Sequence, residues 1–164
     1  MVSLRPFPQR SLSEKALPVW RIVSSLEAII VLLILIALAW FSTTTQWEIP
    51  TWIYVAVAFV YFVGFIVYVV IWPKLQWKKW RYEVLQHETE LMFGVIIVRR
   101  ILIPMARVQH VDTKQGPILR RYGLASVTIS TAATVHEIPA LTHEKADELR
   151  DYISQLAREA DQNE

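Results

Sequence analysis

Two long apolar runs dominate the hydrophobic pattern of the chain. Residues 22–41 form a run whose only charged side chain is Glu27, and residues 51–72 form a second run with no charged side chain. At 1.5 Å per residue, helices over these runs are roughly 30 Å and 33 Å long, which matches the hydrocarbon core of a bilayer. The pattern therefore predicts a hairpin of two transmembrane helices, the second of which is expected to end at Pro73.

The first apolar run has a competing interpretation as a secretory signal peptide. The segment before it, residues 1–21, is longer than the charged region of a typical signal peptide, and a second apolar run follows after a short connector. Both observations favour a retained transmembrane helix.

Residues 73–164 alternate between short β-type segments and turns, and they end in a helical pattern. Six segments rich in strand-forming residues predict strands, with Gly94 at a bend or bulge: RYEVLQH, ELMFGVIIV, ILIP, ARVQHVDT, SVTIST and TVHEIPAL. A short helix is expected between Gly116 and Gly123, and both glycines are expected at positive φ. After Thr142, a candidate N-cap, apolar residues recur at helical spacing, which predicts an amphipathic C-terminal helix.

The positions of lysine and arginine predict the orientation of the hairpin. Four basic residues precede the first run, none lies in the connector, and four follow the second run: Arg5, Arg10, Lys15 and Arg21, then Lys74, Lys78, Lys79 and Arg81. By the positive-inside rule, both termini are expected in the cytoplasm, and the protein is expected to be a multi-pass protein of the cell membrane.

Three regions follow from this organisation. Residues 1–21 are a cytoplasmic N-terminal arm, residues 22–72 are the transmembrane hairpin, and residues 73–164 are one small cytoplasmic domain. The prolines in the arm oppose a stable helix, so an irregular segment is expected there. It is either a mobile tail or a segment that Trp20 anchors at the lipid headgroups.

Composition and motif content argue against several classes of function. The chain has no cysteine, which excludes disulfides and thiolate chemistry, and its net charge of +2 gives no case for nucleic-acid binding. Its four glycines form no dinucleotide-binding or P-loop motif, and its histidines lack close metal-ligand spacing. We therefore expect no catalytic residue, no metal site, no cofactor and no enzymatic activity.

Basic residues form the first set of candidate contacts. They are expected to meet anionic lipid headgroups or an acidic partner. The alternative for the arginines among them is a solvated side chain or pairing with carboxylates of the same domain, which contributes little at an exposed site. The alternative for the lysines is that they only determine the membrane topology. The set comprises Lys74, Lys78, Lys79, Arg99, Arg100, Arg107, Arg120 and Arg121.

Two further candidates lie on the predicted helices. Glu27 is the one ionisable side chain inside a predicted span, so it is expected either to make an intramembrane contact or to reach the interface and its water. Leu149, Ile153 and Leu156 recur along the C-terminal helix and are a candidate interface for another protein or a second copy.

Several short motifs together resemble the bacterial pleckstrin-homology (PH) domain family, formerly catalogued as a domain of unknown function. The motifs are Trp80-Arg81-Tyr82, Gly94-Val95, Ile103-Pro104, Arg107-Val108-Gln109-His110-Val111-Asp112, Gln115-Gly116-Pro117, Arg120-Arg121 and Gly123-Leu124. The two apolar runs and the total length resemble small membrane members of the family.

The resemblance implies an α+β membrane protein. It consists of a two-helix hairpin and a partly open PH-like β-barrel or sandwich, which is capped by the C-terminal helix and tethered under the membrane. It does not imply an activity, because one fold supports many functions. The loop at residues 86–89 has no lysine or arginine, which departs from phosphoinositide-binding PH domains.

Three hypotheses of function remain. The leading one is a non-enzymatic scaffold or adaptor at the inner face of the membrane, which contacts another membrane protein or a copy of itself. The second is a module that senses or handles anionic lipid of the bilayer. The third is an accessory subunit of a membrane enzyme or transporter.

Overall fold

A computed structural model describes residues 6–45 and 49–162 of the chain. Arg5, on which the predicted orientation partly rests, lies outside the described residues. Trp47 and Glu48 of the connector between the two apolar runs also lie outside them. The chain divides into two compact units. Residues 20–75 form a helical unit, and the described residues up to 19 join those from 76 onward in a mixed α/β unit.

The first apolar run forms helix α1, Ala16–Thr44. It begins before the apolar run itself and places Pro18 in the first turn, where the missing N–H has no helical partner to lose. Only 6% of the most hydrophobic 18-residue stretch of this helix is buried, so its apolar side chains face outward, as lipid-facing side chains do.

The second apolar run is a continuous helical segment of three parts. Helix α2, Thr51–Phe65, is followed by a π-helix, Ile66–Ile71, and by helix α3, Trp72–Lys79. The prediction that the helix ends at Pro73 is wrong. The π-turns before the proline widen the helix, and the N–H of Trp72 bonds the carbonyl of Val67 five residues back, so the segment continues past the ring.

In the part of the chain that the structure describes, seven strands and the helices α4 and α5 build the α/β unit. Strands β1, β2, β3 and β4 form one antiparallel sheet in that order, and β5, β6 and β7 form a second. Within the described part of the chain the two sheets do not close into a barrel. The elements are β1 Arg10–Ser11, β2 Arg81–Val84, β3 Glu88–Phe93, β4 Arg99–Pro104, a 3₁₀ turn Met105–Arg107, β5 Val108–Lys114, α4 Pro117–Arg121, β6 Leu124–Thr131, β7 Val135–Thr142 and α5 His143–Gln162.

Each of the six predicted segments contains a strand, and both predicted helices are present. In the second segment, however, the strand ends at Phe93, and residues 94–98 form the turn that leads into β4. Thr142 caps α5 through a hydrogen bond from the N–H of Lys145 to its Oγ1 at 3.4 Å. Gly123 ends α4 at φ +65°, as predicted. Gly116 has φ −74°, so its predicted positive φ is wrong, and Gly94 instead has φ +114°.

The N-terminal arm is part of the α/β unit. Its strand β1 pairs with β2 in the register Arg10↔Tyr82. Leu12 is 3% exposed, and the indole N–H of Trp77 donates to the carbonyl of Ser13 at 3.0 Å. Among the described residues of the predicted arm, 6–9 and 12–15 have no regular helix or strand, as expected, whereas β1 and the start of α1 at residues 16–21 do not fit that expectation.

Candidate functional site

Arg100 is the one arginine of the basic set for which the structure gives a buried ionic partner in the described residues. Its guanidinium pairs with Glu90 on the neighbouring strand, whose side chain is 3% exposed. It also donates to the carbonyl of Pro6 at 3.0 Å and lies 5.6 Å from the ring centroid of Phe7. Arg100 therefore neutralises a buried carboxylate and fastens the N-terminal arm, which is the internal pairing that the sequence analysis gave as its alternative role.

The other basic residues are exposed, but those on β4 and the 3₁₀ turn do not lie together. Arg99 begins β4 and Arg107 lies beyond its end, so at least roughly 17 Å of extended strand separates them. Arg120 and Arg121 lie on α4, which connects β5 and β6 of the other sheet. The remaining members of the set, Lys74, Lys78 and Lys79, are exposed on α3.

The predicted helix interface lies inside the domain. Leu149, Ile153 and Leu156 are 4%, 0% and 8% exposed, and α5 packs against β5, β6, β7 and the 3₁₀ turn. The predicted apolar stripe is present, but it covers the β5–β7 sheet and the 3₁₀ turn of its own domain. These side chains are therefore not available to a partner in this fold.

Glu27 makes a contact within the helical unit. The phenol of Tyr68 on the second helical segment donates to its Oε2. Tyr61 donates to the carbonyl of Ala28 at 2.9 Å. Near the other end of the hairpin, the hydroxyls of Tyr54 and Ser42 lie 2.7 Å apart and share a hydrogen bond. Hydroxyl groups thus join the two helices at three levels.

Sequence reasoning missed this tyrosine seam, although a signal was present. Tyr54, Tyr61 and Tyr68 recur every seven residues in a run that has almost no other hydrogen-bonding side chain. A seven-residue period places side chains on one face of a helix, and polar groups on a lipid-exposed helix are expected to face a neighbouring helix.

Among the described residues, four strands lie at sheet edges, and three of these strands are poor templates for another strand. Strand β1 has two residues. Strand β4 begins with two arginines and ends at Pro104. Strand β7 contains Pro139 and has Ala140 at φ +50°, and the carbonyl of Ala140 already accepts a hydrogen bond from Ser13. These features are typical of protected edges.

Strand β5 is the remaining edge strand, and the direction in which each of its backbone N–H and C=O groups points can be assigned. The N–H of Thr131 donates to the carbonyl of Thr134 across the β6–β7 turn, so alternate residues of β6, including Thr128, point their backbone groups toward β5. Thr128 is opposite Asp112. The N–H and C=O groups of Val111 and Thr113 therefore point away from β6, toward the open edge.

A groove runs beside this edge. It has a volume of about 750 Å³, and the 3₁₀ turn, β5 and the last turns of α5 line it. Val108, Val111 and Ala157 supply apolar surface, and His110 and Arg158 supply polar groups. A bulge at Gln109 interrupts the alternation expected for this strand, so Val111 is buried while Gln109 and His110 are exposed.

A second cavity, of about 620 Å³, lies between the arm and α5. Burial raises the pKa of Tyr82 in its wall, Arg10 lowers it and Glu148 raises it, and the net direction is upward. The neutral phenol is thus favoured in the fold. The neutral Tyr82 phenol contributes to the stability of the fold at pH values below the ordinary tyrosine pKa, and this contribution is lost as the pH rises through the raised pKa.

Among the described residues, no group of three or more His, Asp or Glu side chains could hold a metal ion.

Comparison with known proteins identifies the class of this chain. A family model described as Bacterial PH domain matches residues 15–157, which include both apolar helices, so the chain belongs to this family of bacterial PH-domain proteins. It is similar to the UPF0699 transmembrane protein YdbS of Bacillus subtilis (strain 168). The two are 49% identical over 158 residues, which cover 96% of this chain and 98% of that protein. No solved structure matches the chain.

These comparisons confirm the predicted family and the predicted class of fold. The chain combines two apolar helices with two antiparallel sheets and a C-terminal helix, in a family of PH-like domains that is not a known enzyme family. The similarity to a transmembrane protein, together with two helices long enough to cross a bilayer, makes the chain a membrane-associated PH-domain protein.

Proposed function

We propose that this protein is a non-enzymatic, membrane-anchored adaptor whose PH-like domain binds an extended segment of another membrane protein along strand β5. The open edge of β5 carries the proposal. It presents backbone groups at Val111 and Thr113 with no strand beside them in the described chain, next to a groove with apolar surface. Strand addition of this type gains affinity from main-chain hydrogen bonds and specificity from alternate side chains.

Membrane anchoring favours a partner in the same membrane. A tethered domain meets neighbouring membrane proteins at a raised effective concentration, so a short strand of moderate affinity is sufficient for binding. The separation of the basic residues supports protein recognition over a headgroup pocket built from arginines. The role of an accessory subunit of an enzyme or transporter is a special case of this proposal, in which the partner has the activity.

The proposal places both termini and the whole α/β unit in the cytoplasm. The basic residues before α1 and at the end of α3, such as Arg21, Lys78 and Lys79, support this orientation by the positive-inside rule. A fluorescent protein that folds only in the cytoplasm, fused after the last residue, is expected to be fluorescent. A periplasmic or extracellular reporter at that position is expected to be inactive, and the reverse pattern would refute the orientation.

The binding edge is tested with the full chain, purified from native membranes in mild detergent. Thr113→Pro removes an outward N–H without removing a donor of the β5–β6 ladder, and Thr113→Ala is the matched control that keeps this N–H. We expect the wild type and Thr113→Ala to retain the same co-purified protein and Thr113→Pro to lose it, with thermal melting of the three proteins unchanged. Retention by a folded Thr113→Pro protein, or recovery of this chain alone as a dimer, would contradict the proposal.

A further inference from the structure

The turn between β3 and β4 is apolar and exposed. Residues 94–98 have the sequence GVIIV, and the side chains of Ile96, Ile97 and Val98 are 82%, 74% and 53% exposed. Tips of hairpins are ordinarily built from small and polar residues. Three consecutive exposed β-branched residues in a turn therefore indicate a surface that contacts something apolar.

The backbone gives this tip a defined shape. Gly94 has φ +114°, and a Cβ at this position would lie 2.0 Å from the carbonyl oxygen of Ile97. The carbonyl group of Ile97 thus packs directly against Gly94, and this close contact fixes the path of the backbone through the turn. At the base of the tip, the ring of Phe93 stacks on that of Trp80, with 5.7 Å between the centroids.

The strand register places the tip at a particular end of its sheet. Arg81, the first residue of β2, is opposite Met92, and Phe93 is opposite Arg99, so the tip projects beyond the start of β2. Strand β2 is the first strand after helix α3. The tip therefore lies at the end of the sheet at which the chain arrives from its second apolar helix.

The N-terminal connection leaves from the same end. Ser11 of β1 is opposite Arg81, and the next residues lead into α1. The hydrogen bond from the indole of Trp77 to the carbonyl of Ser13 joins the two connections. Lys79 and Arg99 are exposed near this end. One end of the domain thus combines both connections toward the membrane helices, basic side chains and the apolar tip.

We propose that residues 94–98 insert into the interfacial region of the bilayer that holds the two helices, and that this tip is a further membrane contact of the PH-like domain. The exposed apolar tip, the two membrane connections and the basic side chains at one end of the domain together support this inference. A domain tethered at this end presents the tip to lipid, and the flanking cations suit anionic headgroups. The contact restricts the tilt of the domain and so sets which surfaces, β5 included, face neighbouring proteins. It is independent of the proposed adaptor role.

The absence of cysteine from the sequence permits a direct test with single labels. Ile97→Cys carries an environment-sensitive NBD fluorophore at the tip. Val135→Cys is the matched control, because Val135 is 65% exposed but lies away from the tip. It is next to the β6–β7 turn, and this turn lines a cavity together with the end of β4 that is far from the tip. Both full-length proteins are reconstituted in vesicles of phosphatidylcholine and phosphatidylglycerol, with and without lipids that carry a doxyl quencher on the acyl chain.

We expect the tip label to show blue-shifted, brighter emission that doxyl lipids quench at least twofold more than the emission of the control label. Water-like emission at the tip, equal to that at position 135, would overturn the proposal. An apolar signal that doxyl lipid does not quench, but that fades as protein is diluted in the vesicles, would also overturn it and assign the tip to a second copy. Ile96→Cys is a second tip probe, and its high exposure leaves little packing to lose.

Discussion

Replacement of Gly94 by alanine is the sharpest test of how the β3–β4 hairpin is built. The new Cβ would lie 2.0 Å from the oxygen and 3.0 Å from the carbon of the Ile97 carbonyl, and real Cβ contacts essentially never fall below 3.0 Å. Because these atoms are backbone, no rotation of a side chain relieves the overlap. The residue also has φ +114°, and a non-glycine residue in such a conformation costs about 1–3 kcal/mol.

We expect Gly94→Ala to lower the stability of the α/β unit by about 2 kcal/mol, from this strain and from partial opening of the turn. For a unit of about 100 residues, this corresponds to a fall in Tm of roughly 8–16 °C. Gly116→Ala is the matched control, since Gly116 has φ −74° and no atom lies within 4 Å of the point that a Cβ would occupy there. Thermal melting of both full-length variants in the same detergent measures the difference, and hydrogen exchange along β4 localises it. Equal melting temperatures for the two variants would refute the close approach of Ile97 to Gly94.

Two further substitutions test the internal contacts. Arg100→Ala is expected to cost about 2–3 kcal/mol, because it leaves the carboxylate of Glu90 buried without its cation, whereas the exposed Arg99→Ala is expected to stay within about 0.5 kcal/mol of the wild type. Denaturant unfolding of the full chain measures both, and an equal cost would argue against the pair. In the hairpin, Tyr68→Phe is expected to weaken helix association by about 1 kcal/mol, and Glu27→Gln, which keeps an acceptor for the phenol, is expected to cost less. Detergent-induced unfolding that ranks the two in the opposite order would contradict this account of the tyrosine seam.

The local elements are predictable because each has a strong periodic signal. The strands after residue 80 alternate or are rich in β-branched residues, and the buried stripe of α5 repeats at helical spacing. The two apolar runs are equally clear, but the end of the second is not. A proline ordinarily stops a helix, whereas six residues of π-helix before Pro73 let this one continue.

Features that depend on long-range pairing are not predictable from local patterns. Strand β1 has two residues and pairs with a strand about 70 positions later, so no local pattern marks it. The stripe that contains Ile153 indicates a buried surface but not which surface covers it. The arginines are close in the sequence, which suggests a single cluster. Only the strand register shows that Arg100 pairs with Glu90, while Arg107 lies at the other end of β4.

The candidate site shows the same limit. Strand β5 is recognisable from its sequence, but its position at the edge of a sheet follows from the order β5-β6-β7. The outward direction of the Val111 and Thr113 backbone follows from one hydrogen bond in the neighbouring turn. Neither is encoded in the composition of the strand itself.

Site-specific photocrosslinking in native membranes tests the proposed adaptor surface most directly. A photoreactive amino acid replaces the exposed Gln109, in the groove beside β5, and in a control replaces the exposed Glu137 on the protected β7 edge of the same sheet. We predict that position 109 crosslinks to one membrane protein other than this chain, that position 137 does not, and that Thr113→Pro abolishes the product. Crosslinks that are equal at both positions, absent from position 109, or unchanged by Thr113→Pro would contradict the account.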